Sequence, residues 1–321
     1  MLSDRLMMLL RKFPLSEPDK SLFMNRRQFS KNAFMASALV SIDPVTGFLS
    51  NSELQPVKFK KGIMWNTLKV GNTILEKFEA AKKAGLDGVE TNSHLNREEV
   101  IKARDITGLS IPSVCGTMHW KFPLSDPDKA VRTKGSDALK VTLEDAKAYG
   151  ADTVLLVPGI VSQTVTYDEC WKRTIEEINK IIPLAEKLKV KIAIENVWNN
   201  FLLSPMEAVQ YVDQFKSPVM AFYFDCGNIL NYGWPEQWIR ILGKRIAKVH
   251  IKEFSLKKAN ETGKSSGFKA NLQEGDVNWA EVVKALKDIK YNGWTTLEQP
   301  GGDTPEGLKD LCTRLENIIS L

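Results

Sequence analysis

Four apolar stretches in the second half of the chain end on, or one residue short of, a side chain with a lone pair to give: Lys191–Glu195, Met220–Asp225, Ile246–Ile251 with His250, and Trp294–Glu298. Taken singly, an acid at a strand end is a helix cap and a lone histidine is a hydrogen-bonded core residue. Three carboxylates and one imidazole at equivalent places on successive strands are a different matter. Buried together without a cation they would repel and raise one another's pKa values, whereas a divalent ion neutralises them and accepts their lone pairs. Glu195, Asp225, His250 and Glu298 are therefore expected to hold one divalent metal ion. Mostly oxygen donors with one imidazole suit Mn²⁺ best, with Co²⁺, Mg²⁺ or Zn²⁺ as alternatives.

Positioning four such residues requires a scaffold whose strands all end at one face. From about Val57 onward, short apolar runs alternate with longer amphipathic stretches. The earlier runs are Gly62–Asn66, Gly88–Glu90, Ile111–Gly116 and Thr153–Val157, which with the four above make eight. Helices are expected after them, among them Arg97–Arg104, Ser136–Tyr149 and a long one over Asp168–Leu188, with Gly85 and Gly150 as helix stops. Continuous apolar runs mark strands buried on both faces, and their alternation with helices marks parallel pairing. Eight repeats favour a single-domain (β/α)8 TIM barrel over 57–321. The competing doubly wound sheet lacks a GxGxxG after its first strand.

The 321 residues include 44 Lys and Arg against 39 Asp and Glu, and 43% are hydrophobic. That is the composition of a globular enzyme with a sizeable core. Residues before Gly47 hold seven basic and four acidic side chains, so much of the net charge of +5 sits there and no nucleic-acid-binding surface is indicated. Cys115, Cys170, Cys226 and Cys312 have no CxxC spacing and read as free thiols. No run approaches a membrane span, so stable membrane insertion is not expected. Residues 1–50 form an N-terminal extension in which Met24-Asn25-Arg26-Arg27-Gln28-Phe29-Ser30-Lys31 precedes the apolar run Ala33–Ile42, the layout of a twin-arginine export signal. A working signal would make the protein periplasmic, otherwise it is cytoplasmic, and translation starting at Met24 would suit a signal better. Lys12–Lys20 recurs with one change as Lys121–Lys129, which is no structural repeat and has no account in the sequence.

Ile194-Glu195-Asn196, Phe224-Asp225-Cys226-Gly227-Asn228, Val249-His250-Ile251-Lys252 with Glu253, Glu274-Gly275-Asp276 and Leu297-Glu298 together resemble the sugar isomerase/epimerase superfamily of xylose-isomerase-like barrels. Their order and spacing are similar to those of ketose and ketose-phosphate 3-epimerases and hydroxypyruvate isomerases. The resemblance implies that Glu195, Asp225, His250 and Glu298 are the metal ligands and that Glu195 and Glu298 double as catalytic acid and base. The implied substrate is a sugar or sugar phosphate. A metal chelated by a ketose would polarise the carbonyl and favour loss of the neighbouring proton to an enediolate. Return of the proton on the other face epimerises, and return to the neighbouring carbon isomerises. A metal-dependent lyase or hydratase on a keto-sugar or keto-glycoside is the alternative enzyme, and an inactive sugar-binding barrel the alternative without catalysis. Relatives of the fold that act on DNA hold several zinc ions, for which three histidines are too few.

His119 and Trp120, after the third strand, are expected to touch the substrate, His119 through a hydroxyl and Trp120 or Trp65 through the carbon skeleton. Glu90, Asn228 and Lys252 are further expected substrate contacts, Lys252 toward a phosphate or carboxylate. Asn228 stands where some ketose epimerases carry a histidine. His94 reads as solvated. The polar stretch Phe254–Gln273 reads as a lid or as a disordered loop. Association into a homo-oligomer stays open.

Overall fold

The computed structural model describes residues 58–321. The N-terminal extension, its Arg26-Arg27 pair and the first copy of the repeated nonapeptide lie outside the described residues. Eight parallel strands pair in chain order and close on themselves: β1 (Lys60–Met64), β2 (Gly88–Asn92), β3 (Val114–Cys115), β4 (Thr153–Leu156), β5 (Lys191–Glu195), β6 (Met220–Asp225), β7 (Ile246–Ile251) and β8 (Trp294–Leu297). The ring closes where Lys60, Lys61, Gly62 and Ile63 of β1 pair with Trp294 to Leu297 of β8. This is the expected (β/α)8 barrel. Among the described residues no helix is long and apolar enough to cross a membrane.

Local chemistry accounts for most element boundaries. Thr73 and Glu76 form a capping box at the start of helix Ile74–Ala84, and Gly85 ends it at φ 96°, a conformation that residues with a Cβ avoid. Gly150 ends Lys129–Tyr149 in the same way. That helix begins earlier than Ser136 because Asp128 caps it, accepting from Ala130 N at 2.8 Å; the second copy of the nonapeptide is the loop that carries this cap. The single helix expected over Asp168–Leu188 is two, Tyr167–Asn179 and Ile182–Leu188. Pro183, which cannot donate to the preceding turn, falls in the first turn of the second. Strand β3 is also shorter than the sequence suggested, since Pro112 has no N–H for a ladder.

Apolar packing divides into two layers. The larger lies between the barrel and its helices, and the smaller fills the barrel axis with Met64, Cys115, Leu155, Ala193, Ala221 and Tyr223. Two alanines in that inner set leave room for polar side chains on the axis. All four cysteines are buried and free.

The stretch after β7 is ordered rather than a disordered loop: it forms helix Leu256–Thr262 and the 3₁₀ segment Lys264–Lys269. The fully buried carboxylate of Glu253 moors it. Its Oε1 accepts from Phe254 N and Val277 N at 3.1 Å, and its Oε2 from Gln273 N and the Trp279 indole, both at 2.9 Å. Burial pushes this carboxyl up in pKa against the four donors. A Cβ at Gly275 would come within 2.5 Å of Glu253 Oε1, which explains the glycine between Glu274 and Asp276. Glu253→Gln turns one acceptor oxygen into a donor that faces two N–H groups. We expect it to lower stability by about 1–3 kcal/mol, measured by urea denaturation, with faster amide exchange concentrated in 254–279.

Candidate metal centre and mouth of the barrel

Register brings the four donors to one level. Asp225 pairs directly with His250 across β6 and β7, Glu195 ends β5, and Glu298 follows the last residue of β8. One ligand atom from each of Glu195, Asp225, His250 and Glu298 can be chosen so that all lie within 4.8 Å of one another. His250 Nδ1 is 2.9 Å from Glu298 Oε2, 3.0 Å from Glu195 Oε1 and 3.9 Å from Asp225 Oδ2.

Asp225 shows how the sequence aims one oxygen at this point. Its Oδ1 caps the short helix Cys226–Ile229, accepting from Asn228 N at 2.6 Å. Its Oδ2, fully buried, has no hydrogen-bond partner, and neither has Glu298 Oε2. Two buried carboxylate oxygens without a well-aligned hydrogen-bond donor, beside an imidazole, make a donor set that fits a divalent ion. Asn196 fixes the ends of the strands: its side-chain nitrogen donates to Asp225 O at 2.8 Å and its oxygen accepts from Asp225 N at 2.9 Å. Asn228 Nδ2 in turn donates to Asn196 O.

The charges explain the protonation of the cluster. Burial pushes Glu195 and Asp225 up, with Glu298 adding to both against the pull of His250 and Lys252. Burial works on Glu298 too, but Lys252 and His250 outweigh it and hold that carboxyl below its usual range. Burial would lower His250, yet Glu90, Glu298 and Glu195 raise it well above an ordinary histidine. Lys252 is likewise raised despite burial, its Nζ 2.9 Å from Glu298 Oε1 and 3.7 Å from Asp225 Oδ2.

Glu90 is not a substrate contact. It is fully buried in the middle of β2, one layer below the mouth. Its Oε1 faces His250 Nε2 at 3.0 Å, and its Oε2 accepts from Ser113 Oγ and Tyr223 OH, both at 2.5 Å. If a cation took the place of the Nδ1 proton, Nε2–H could stay donated to Glu90 and leave the Nδ1 lone pair pointing at the other three donors. A carboxylate behind a ligating histidine sets its tautomer and raises its basicity. Trp65 is also elsewhere. It lies in the turn that follows β1, packed against the core between barrel and helices, with its ring 5.3 Å from the Lys77 ammonium.

The remaining expected contacts do meet at the mouth. A cavity of about 450 Å³ is lined by His119, Trp120, Asn228 and Lys252, with Glu195 and Glu298 at its floor. His119 is half-buried, its Nδ1 accepting a long bond of 3.4 Å from Val157 N, and burial pushes its pKa down to about 4, so the ring is neutral. Trp120 is half exposed and meets His119 edge-on at 5.6 Å. His94 is exposed. Trp198 is a lining residue that sequence reasoning passed over, although it follows β5 at the same end as His119 and Trp120 follow β3. Its indole donates to Asn228 O at 2.9 Å and packs 4.9 Å from Phe268. Phe268 brings the segment after β7 over the mouth, and a second lobe of about 470 Å³ opens on its other side, lined by Asn66, Lys69 and Pro300–Asp303.

The profile of the family described as Xylose isomerase-like TIM barrel matches residues 78–318. The chain belongs to that family. It is 26% identical over 264 residues to the L-ribulose-5-phosphate 3-epimerase UlaE of Escherichia coli O1:K1, covering 75% of this chain and 90% of that protein. Among solved structures, it is similar to the 3-keto-D-glucoside 4-epimerase YcjR from E. coli at TM-score 0.69 and 18% identity, over 82% of this chain and all of that one. The D-allulose 3-epimerase from Methylomonas sp. aligns at TM-score 0.65 and 18% identity, over 83% of this chain and 98% of that one. The curated relatives of this xylose-isomerase-like barrel are isomerases, and the chain is an enzyme of that class.

Two substitutions separate ligands from their support. Asp225→Ala or His250→Ala should abolish stoichiometric metal uptake, whereas Glu90→Gln should weaken affinity by about 10–100-fold without abolishing it. Competition with a chromophoric chelator measures both. Full-affinity binding by Glu90→Gln would remove Glu90 from the site.

Proposed function

We propose that the protein is a divalent-metal-dependent sugar epimerase or isomerase that moves a proton beside a ketose carbonyl. One observation carries this reading: Glu195 and Glu298, two carboxylates from strands at different places in the ring, converge with Asp225 and His250 on the floor of a polar and aromatic cavity. Glu195, Asp225, His250 and Glu298 would hold the ion, and the hard donor set favours Mn²⁺. A divalent cation there supplies charge neutralisation at a carbonyl oxygen and its neighbouring hydroxyl.

The protein's own groups do the rest. Glu195 and Glu298 are the acid and base, one taking a proton from carbon and the other returning one. Lys252, paired with Glu298 and beside Asp225, offsets negative charge at the floor. His119, neutral, offers a hydrogen bond to a hydroxyl, and Trp120, Trp198 and Phe268 give apolar faces for the carbon skeleton while excluding water. The names of the relatives, two of them 3-epimerases, support the same chemistry.

A second reading rests on the two lobes that meet at Phe268, Lys252 and Glu298. A cleft running both ways from the donor cluster suits a substrate larger than one sugar, with an aglycone to fill the second lobe, which a keto-glycoside has and a free ketose lacks. Epimerisation or elimination on such a substrate uses the same bases.

With metal supplied in excess and its occupancy measured, Glu195→Gln and Glu298→Gln should each lose at least about a hundredfold in turnover. Incubation in D2O with ketoses, ketose phosphates and keto-glycosides gives the sharper outcome. An epimerase lacking one base should still exchange deuterium into the isomer whose C–H faces the surviving glutamate, without inverting it. Exchange and turnover at the unmutated rate in both variants would overturn the two-base mechanism. A lyase would release a fragment.

We also propose export through the Arg26-Arg27 segment. Changing both arginines to lysine should leave the precursor in the cytoplasm, as followed by fractionation, and an intact N-terminus on cytoplasmic wild-type protein would count against it.

A further inference from the structure

We propose that the end of the barrel opposite the mouth is a second binding site, for a small polyanion such as an oligophosphate or a multiply phosphorylated metabolite. Two strands begin there on lysines, Lys60 of β1 and Lys191 of β5, and with Lys248, the third residue of β7, they line a cavity of about 450 Å³, joined by Lys58, Lys244 and Lys290 from the adjoining segments. Asp152 is the one carboxylate in the lining. It is already engaged, its Oδ1 accepting from Lys248 Nζ and from Thr153 Oγ1, both at 2.7 Å. Among the described residues the other five lysines have no carboxylate within the 4.0 Å of an ion pair.

The surplus is local. Residues 58–321 contain 37 Lys and Arg against 34 Asp and Glu. The six ammonium groups less one carboxylate at this single cavity therefore exceed the net charge of the whole barrel, and the rest of its surface is acidic on balance. Barrel ends of this kind are ordinarily closed by branched apolar side chains, so packing gives no reason for Lys60, Lys191 and Lys248 on three of the strands. Lys248 is the extreme case, with a side chain only 6% exposed. Lysines that converge on a concave wall are point-charge donors for phosphate oxygens, and an anion there would relieve their mutual repulsion. The concave, compact shape suits a small molecule, whereas a nucleic acid needs an extended basic stripe.

Isothermal titration of the metal-loaded full chain with inorganic tripolyphosphate, at constant ionic strength, tests this. Saturable one-to-one binding is expected, weakened at least about tenfold in Lys191→Gln/Lys244→Gln/Lys290→Gln, which removes three of the charges. All three side chains are exposed, so the fold should survive, and Lys191→Gln alone should give a smaller loss in the same direction. Extraction of the metal by tripolyphosphate would act on every protein alike and produce no difference between them. Equal affinity in wild type and variants, absence of saturable binding, or tighter binding of a short DNA duplex than of tripolyphosphate would overturn the proposal.

Discussion

The structure is organised around the concentration of negative charge on the barrel axis. Glu195, Asp225, Glu298 and Glu90 surround one imidazole, and all but Glu298 are nearly or wholly buried. Such a set is stable only with positive charge among it, because carboxylates removed from water repel strongly and neutralise by taking up protons. In the protein alone, His250 and Lys252 supply that charge, which is why the imidazole is held protonated well above its usual range. The arrangement is thus one in which a lysine and a proton balance the same carboxylates that a divalent cation would. Under the proposed function, affinity for the cation and reactivity of the glutamates would follow from one electrostatic balance.

That balance depends on alignment finer than the barrel alone provides. Asp225 must give one oxygen to a helix start and keep the other free, and Asn196 must tie β5 to β6 where their ladder ends. Glu90 must lie one layer deeper to set the tautomer of His250, with Tyr223 and Ser113 holding it. On the outer side Glu253, next to Lys252, anchors the segment that brings Phe268 over the cavity. Support, ligand and cover are therefore contiguous in β7 and its following turn.

Much of this was legible in the sequence. Strands buried on both faces read as unbroken apolar runs, so the first polar residue at the end of each of β5 to β8 stood out, and those residues converge. Two expectations failed because the end of a strand is set by pairing that the local sequence does not display. Glu90 looked like a strand end, but β2 continues to Asn92 and leaves it in the interior. Trp65 looked like part of the mouth, but β1 ends at Met64 and the turn that follows packs its ring against the outer core. Asn196, Trp198 and Glu253 act through hydrogen bonds or packing with residues distant in sequence, such as Asp225, Phe268 and Trp279, and nothing in their local spacing announces that role. The break before Pro183 was visible in principle, since a proline inside a helical pattern marks a boundary.

The reciprocal pair between Asn196 and Asp225 has a chemical lifetime as well as a geometry. It works only because an amide offers one donor and one acceptor side by side. Hydrolysis of that side chain to aspartate, the slow ageing reaction of asparagine, would replace the donating nitrogen with an oxygen and set it against the carbonyl of Asp225. A fourth ligand-level carboxylate would then stand beside the cluster, with the backbone that aims Asp225 Oδ2 released. The same hydrogen bonds that position Asn196 also restrain the backbone motion this reaction needs, so the durability of the donor cluster over the life of the protein rests on how firmly that one amide is held.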